Sequence, residues 1–410
     1  MISVSEAHRI IGEQFSQLPV RVEDTSIEWA KQSVSTTDFV ADRDLPPFNR
    51  VAMDGIAIRF SAMNTGRRSF RVAALQLAGK PPCTLEDPSA CIEVMTGAVL
   101  PDGTDTVIRY EDLSIHEHVA TLHQSVDVKS GQNVHLRGSD RRQGETLLPA
   151  GMSLASTHWA IAATVGGNNV KTKCMPRVTI IGTGDELVAV GVKPLPHQIR
   201  ASNVYAVAAA LRDIGVLEIR MQLAADDEQD LKEKLAAACE SSDICIITGA
   251  VSAGKVDLVP AALKHIGAQE LFHKVAQRPG KPLWFGTVPQ SQTIVFGLPG
   301  NPVSTLACTY RYVIPAIQQH FGSAQSARKL HAELTADVDF SLGETMSLFQ
   351  PVKVNFREDA RIVCTPVRNI GSGDLGSLGI SDGFVELKQG KTKFLSGEVV
   401  PLYLWSSRLG

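Results

Sequence analysis

The sequence predicts an α/β plus β protein: a doubly wound α/β domain between an N-terminal helical and β-rich module and a C-terminal β-barrel-like domain. Three observations lead there. Apolar runs alternate with helical periods between residues 178 and 319, the pattern of a parallel sheet with right-handed crossovers. Short alternating segments between turn signals fill residues 39–150. The two-residue period returns from about residue 331, punctuated by Gly371, Gly373, Gly376 and Gly383.

The chain has 410 residues, enough for two to four domains. Hydrophobic residues make up 44% and charged residues 20%, which suits several globular cores. A net charge of -3 gives no reason to expect nucleic acid or a membrane surface as partner. The seven cysteines include no CxxC pair, which points to a reducing compartment and core packing. The longest apolar run falls short of a membrane span. The first fifteen residues read as an amphipathic helix capped by Ser3 and Glu6 rather than a signal peptide. A cytoplasmic protein is expected.

The predicted divisions are 1–173, with a β-rich subdomain at about 55–135, then 174–325 and 331–408. In the α/β region, strands are predicted at 178–182, 217–223, 244–248, 271–275 and 293–297. Helices are predicted at 203–213, 228–240, 257–266 and 302–319. Asn203 and Asp227 are the expected N-caps, and Gly215 a helix stop.

Four glycine loops fall where these strands end. Gly182-Thr183-Gly184-Asp185-Glu186-Leu187 follows Val178-Thr179-Ile180-Ile181. Its glycines permit a sharp turn and close ligand approach. Its carboxylates stand at a strand's C-terminal end, where open α/β sheets bind ligands. Asp185 and Glu186 have the hard oxygens that Mg²⁺ prefers, or Asp185 only caps a turn. In the loop 249–254, Ser252 can donate to phosphate, and Gly254 leaves room for it. Asp257 then binds metal, orients an attacking oxygen, or simply caps the next helix.

Arg278 and Lys281 flank Pro279-Gly280, two cations on a rigid turn suited to a multiply charged anion or simply to solvent. Pro299-Gly300-Asn301-Pro302 opens a helix whose free N–H groups can bind an anion or form an unliganded cap. In the N-terminal module, Asp54, the bend at Met95-Thr96-Gly97-Ala98 and Arg137-Gly138-Ser139-Asp140 are candidates of the same kind, each also readable as structural. The histidines lack metal-ligand spacing.

Taken in order, these stretches resemble the molybdopterin molybdenumtransferase family, of the MoeA and gephyrin E-domain type. The resemblance also rests on Leu45-Pro46-Pro47-Phe48-Asn49, on Ala52-Met53-Asp54-Gly55 and on Ser130-Gly131-Gln132-Asn133, and it covers almost the whole chain. It implies four subdomains in an elongated homodimer with a composite active site. It implies that adenylylated molybdopterin binds, its phosphoanhydride is cleaved with Mg²⁺, and molybdate joins the dithiolene as AMP leaves. Asp54, Asp185, Glu186, Asp257 and Lys281 are then the expected catalytic residues, with Asp185, Glu186 and Asp257 as metal ligands. Thr96, Asp140, Gly182, Gly184, Gly249, Ser252, Gly254, Arg278 and 299–302 are the expected binding residues. A contact with the molybdopterin-adenylylating enzyme is a further expectation.

The sequence departs from the family pattern at Ala250, Lys255 and Arg278. Lys255 replaces a common acidic residue, which bears on metal stoichiometry. The 39–150 module and the C-terminal β region argue against a molybdopterin adenylyltransferase, and the intact carboxylates against a non-catalytic gephyrin-like scaffold.

Overall fold

The structure, a computed structural model, describes residues 1–29, 33–249, 258–322, 330–368, 371 and 373–406. Ser252, Gly254, Lys255 and Asp257 lie outside the described residues.

Three six-stranded sheets organise these residues. In the middle one, Ile219–Ala224, Val178–Thr183, Ile244–Thr248 and Thr293–Leu298 run parallel in that spatial order. The three inner strands are almost entirely apolar or β-branched and fully buried, as a sheet covered on both faces requires. Alternate side chains enter opposite cores. Ile180 and Ile246 pack with the helices Val4–Phe15, Ser202–Asp213 and Ile314–Phe321. Ile181 and Ile247 pack with Glu228–Ser241 and Leu258–His265. The opening helix thus belongs to the middle core, where Phe15 meets Phe296 at a ring separation of 6.1 Å.

The sheet also carries an antiparallel edge. Trp284–Val288 pairs antiparallel with Thr293–Leu298, and Gln269–His273 pairs antiparallel with Trp284–Val288. The strand at 284–288 was not expected. Asp227 caps its helix as predicted, accepting from the N–H groups of Gln229 and Asp230 at 3.0 and 2.8 Å. Asn203 does not cap. The N-cap position belongs to Ala201, and Asn203 sits inside the first turn with its amide engaged elsewhere.

The N-terminal module is a second sheet, in the order Thr106–Arg109, Gly55–Ile58, Cys91–Val94, Ser69–Gln76, Val119–Leu122, Leu113–His116. Its faces are filled by two small cores of its own. Gly55 permits the first pairing: its φ is +156°, and a Cβ there would lie 1.9 Å from the Ile108 carbonyl oxygen.

The third sheet closes on itself. Ser347–Phe356, Ile362–Pro366, Leu330–Leu334, Val399–Leu404 and Gly383–Leu387 follow one another, and Gly383–Leu387 pairs back to Ser347–Phe356. One further strand joins this barrel from the middle of the chain. Gln277–Arg278 runs parallel to it, Gln277 opposite Ser347 and Arg278 opposite Leu348.

Candidate active site

The parallel register brings three of the glycine loops to one edge. Gly182 lies opposite Thr248, and Thr248 opposite Leu298, so the three inner strands end together, where an open α/β sheet receives ligands. Glycine keeps the loops close. At Gly249, with φ +105°, a Cβ would stand 2.5 Å from the Thr183 carbonyl oxygen. At Gly300 it would stand 3.5 Å from the Gly249 Cα. Gly182 is buried, and its missing side chain makes room for Leu223 and Val204.

Asp185 and Glu186 are exposed at this edge. An Asp185 carboxylate oxygen accepts from the Asp226 N–H at 3.0 Å, which spans the mouth to the end of the neighbouring strand. The Glu186 carboxylate folds back over Gly184, 2.6 Å from where a Cβ would be. Beneath them the Thr183 hydroxyl is buried, with no hydrogen-bond partner among the described residues. Two adjacent carboxylates carry the hard oxygens that Mg²⁺ prefers; Asp257, the third expected ligand, is outside the described residues.

The loop 299–302 is held by its carbonyls. The Thr305 hydroxyl donates to the Pro299 and Asn301 oxygens at 2.5 and 3.1 Å. The Asn203 amide donates to the Gly300 oxygen at 2.6 Å. Asn301 stands at the N-cap position and Pro302 at the first helical position, although Asn301 makes no capping bond through its side chain.

The loop bearing Arg278 and Lys281 meets the same helix from another side. Gly280 has φ +90°, and a Cβ on it would press to 2.6 Å from the Cys308 sulfur and 3.7 Å from the Ser304 carbonyl oxygen. Arg278 and Lys281 are both exposed, and no ion pair engages either among the described residues. The glycine-lined edge thus presents two acidic side chains, and the adjoining 278–281 loop presents two cations.

The N-terminal candidates are elsewhere on the chain. Asp54 is exposed at the start of its strand, and one carboxylate oxygen accepts from the Thr96 N–H and hydroxyl at 2.6 and 2.7 Å. These donors, the N–H first, hold the Asp54 carboxyl below the usual aspartate range. Asp140 lies with a different loop. Its N–H donates to the Leu45 oxygen at 2.9 Å, and Arg137 pairs with Asp44 at 2.7 Å. The structure therefore gathers Asp54 with Thr96, and Asp185 and Glu186 with Gly249 and 299–302, on separate sheets with separate cores.

Sequence reasoning missed Asn203, Thr305 and Gln277 as loop-holding side chains. A helical Asn and a helical Thr facing the loop 299–302 carry no signal beyond their polarity at helix starts.

Family models match the chain in order: the MoeA N-terminal region, domains I and II, over residues 2–166, a probable molybdopterin binding domain over 179–319, and the MoeA C-terminal region, domain IV, over 333–405. A molybdopterin molybdenumtransferase of Synechocystis is 35% identical over 405 residues, covering 99% of this chain and all of that protein. A molybdopterin molybdenumtransferase of Haemophilus influenzae is 30% identical, with full coverage of both chains. Among solved structures, a molybdopterin biosynthesis MoeA protein from Pyrococcus horikosii superposes with a TM-score of 0.83 at 28% identity, covering 100% of each chain.

Proposed function

This chain belongs to the molybdopterin molybdenumtransferase family, and from that premise we propose that it inserts molybdate into adenylylated molybdopterin, releasing AMP. The convergence of the Gly182–Glu186, Gly249 and 299–302 loops at one sheet edge carries the reading. Glycine-lined backbone suits the phosphates, and the exposed cations Arg278 and Lys281 suit an oxyanion.

In this reading Asp185 and Glu186, with Asp257, hold Mg²⁺, which supplies charge neutralisation at the phosphoanhydride. Gly184, Gly249, Ser252 and Gly254 line the phosphate path, and residues 299–302 offer helix-start N–H groups. Arg278 and Lys281 orient molybdate for attack by the dithiolene. Asp54, Thr96 and Asp140 act on the same ligand from the N-terminal module. By resemblance to the family, the reading sets Asp54, which is built on a separate sheet, against the α/β edge of a second copy, giving a homodimer with two composite sites. The divisions 1–173, 174–325 and 331–408 are then the working parts. No helix among the described residues is long and apolar enough to cross a membrane. The reading also has the enzyme work in the cytoplasm and receive its ligand from the adenylylating enzyme.

The test is direct. Purified protein, adenylylated molybdopterin, Mg²⁺ and molybdate should yield AMP together with cofactor that activates an apo-molybdoenzyme. AMP release without active cofactor would reduce the protein to a hydrolase of the nucleotide. No AMP release would remove the assigned reaction.

A further inference from the structure

The Arg278–Lys281 loop is fastened from beneath by a buried polar chain with no place in the reaction above. Gln277 is fully buried. Its amide nitrogen donates to the Gly280 carbonyl oxygen at 3.1 Å and to the Cys308 sulfur at 3.4 Å. Its amide oxygen accepts from the Tyr312 hydroxyl. Tyr312 is 1% exposed and lies in a π-helical turn, Thr309–Val313, between the helices Pro302–Cys308 and Ile314–Phe321. Such turns are uncommon and occur frequently at functional sites.

The chain continues into the barrel. The Arg311 guanidinium lies 5.2 Å from the Tyr312 ring centroid and 5.4 Å from that of Tyr403. It donates to Glu386 at 2.8 Å, and the Tyr403 hydroxyl donates to the same carboxylate oxygen at 3.2 Å. Buried polar groups are costly unless satisfied, and a satisfied network specifies one arrangement of the backbone around it. Here that backbone is the Gly280 turn, which has no room for a Cβ between Gln277 and Cys308.

We propose that Gln277 and Tyr312 are positioning residues for the oxyanion seat: they fix the Gly280 carbonyl, and through it the distance between the Arg278 and Lys281 charges. The proposal rests on the reading of this loop as the molybdate site. Arg278 is the end of a strand in the barrel sheet, and Lys281 returns to the α/β region, with its carbonyl accepting from the Val275 N–H at 2.9 Å. The two cations therefore belong to two structural units, and Gln277 is the tie between them.

The experiment measures molybdate binding by equilibrium dialysis, and KM for molybdate in AMP release, for Tyr312→Phe and Gln277→Met. Both keep side-chain volume, and the second covers the case in which the first does not fold. Tyr312→Phe strands the buried Gln277 amide oxygen, so molybdate Kd and KM should rise about tenfold. Affinity for adenylylated molybdopterin and kcat should stay within about twofold. Wild-type molybdate affinity in the folded variant overturns the proposal, as does an equal loss of affinity for both ligands, which a merely loosened fold would give. Lys281→Ala separates the two levels. If it leaves molybdate binding unchanged, the oxyanion seat fails and the positioning role with it. If it abolishes binding while Tyr312→Phe and Gln277→Met do not, only the positioning role falls.

Discussion

Asn203 donates its side-chain amide to the Gly300 carbonyl at 2.6 Å, joining the first turn of one helix to the loop that opens another, 97 residues along the chain. Asn203→Ala should let the loop relax without harming the sheet. One such bond is worth about 0.5–1.5 kcal/mol, so affinity for adenylylated molybdopterin should fall about 2- to 10-fold, with the melting temperature nearly unchanged. Calorimetric titration checks this, and unaltered affinity would show that the loop is set by Thr305 alone.

Gly55→Ala should be among the most damaging small substitutions in the N-terminal module. The new methyl would sit 1.9 Å from the Ile108 oxygen at a φ of +156°. The Thr106–Arg109 strand must move away, at a cost of about 1–3 kcal/mol or more. Limited proteolysis and urea unfolding should show the module opening first, and a wild-type unfolding curve would contradict the close pairing.

Asp54 owes its low pKa first to the Thr96 N–H and second to the Thr96 hydroxyl. Thr96→Val removes only the second. A depressed carboxylate pKa means that the ionised form, and whatever depends on it, is lost only as pH falls through the folded value. The variant should therefore lose that charge at a higher pH, closer to the ordinary aspartate range. Titration of the ¹³C-labelled Asp54 carboxyl reads the midpoint directly, and no upward movement would mean that the hydroxyl bond is absent in solution.

Glu386 and Arg311 form an ion pair in which the side chains are only 5% and 9% exposed. Glu386→Leu leaves a guanidinium buried without its counter-charge and should cost about 3–5 kcal/mol in chemical denaturation. Adding Arg311→Met should recover much of that loss. A double variant no better than the single one would show that the barrel needs Arg311 for packing rather than charge balance.

The proposed composite site makes a complementation prediction. Asp54→Ala and Asp257→Ala, each inactive alone, should regain activity when their subunits exchange. Half of randomly mixed dimers carry one of each, and each such dimer has one intact site, so about a quarter of all sites recover. No recovery despite verified exchange would place both residues in one chain and leave the assigned reaction standing.

What the sequence revealed depended on how local the signal was. The strands at 178, 244 and 293, and the glycines Gly182, Gly249 and Gly300 at their ends, were legible because apolar runs and glycines act within a few residues. Asp227 was legible as a cap for the same reason. Trp284–Val288 was missed because its neighbours, Gly280 and Pro282, read as loop, and only the adjacent strand makes it an edge. Asn203 was misread because Asn at a helix start is a good cap in isolation, while its real acceptor is distant in sequence. Gln277 and Tyr312 were invisible because nothing in their neighbourhood marks a polar side chain as buried. Arg278 and Lys281 could be named from charge and turn chemistry, but not that one of them ends a strand of the C-terminal barrel.

That shared strand has a temporal consequence. Gln277–Arg278 emerges from the ribosome before any of the five barrel strands it accompanies, which begin at Leu330 and end at Leu404. Domains generally fold as units during synthesis, N-terminal ones first. The glycine-lined sheet edge can therefore assemble on the nascent chain while its cationic turn still lacks its neighbouring strand. On the proposed reading, the oxyanion turn gains its neighbour only once Ser347–Phe356 has been made, after the sheet edge that would take the nucleotide.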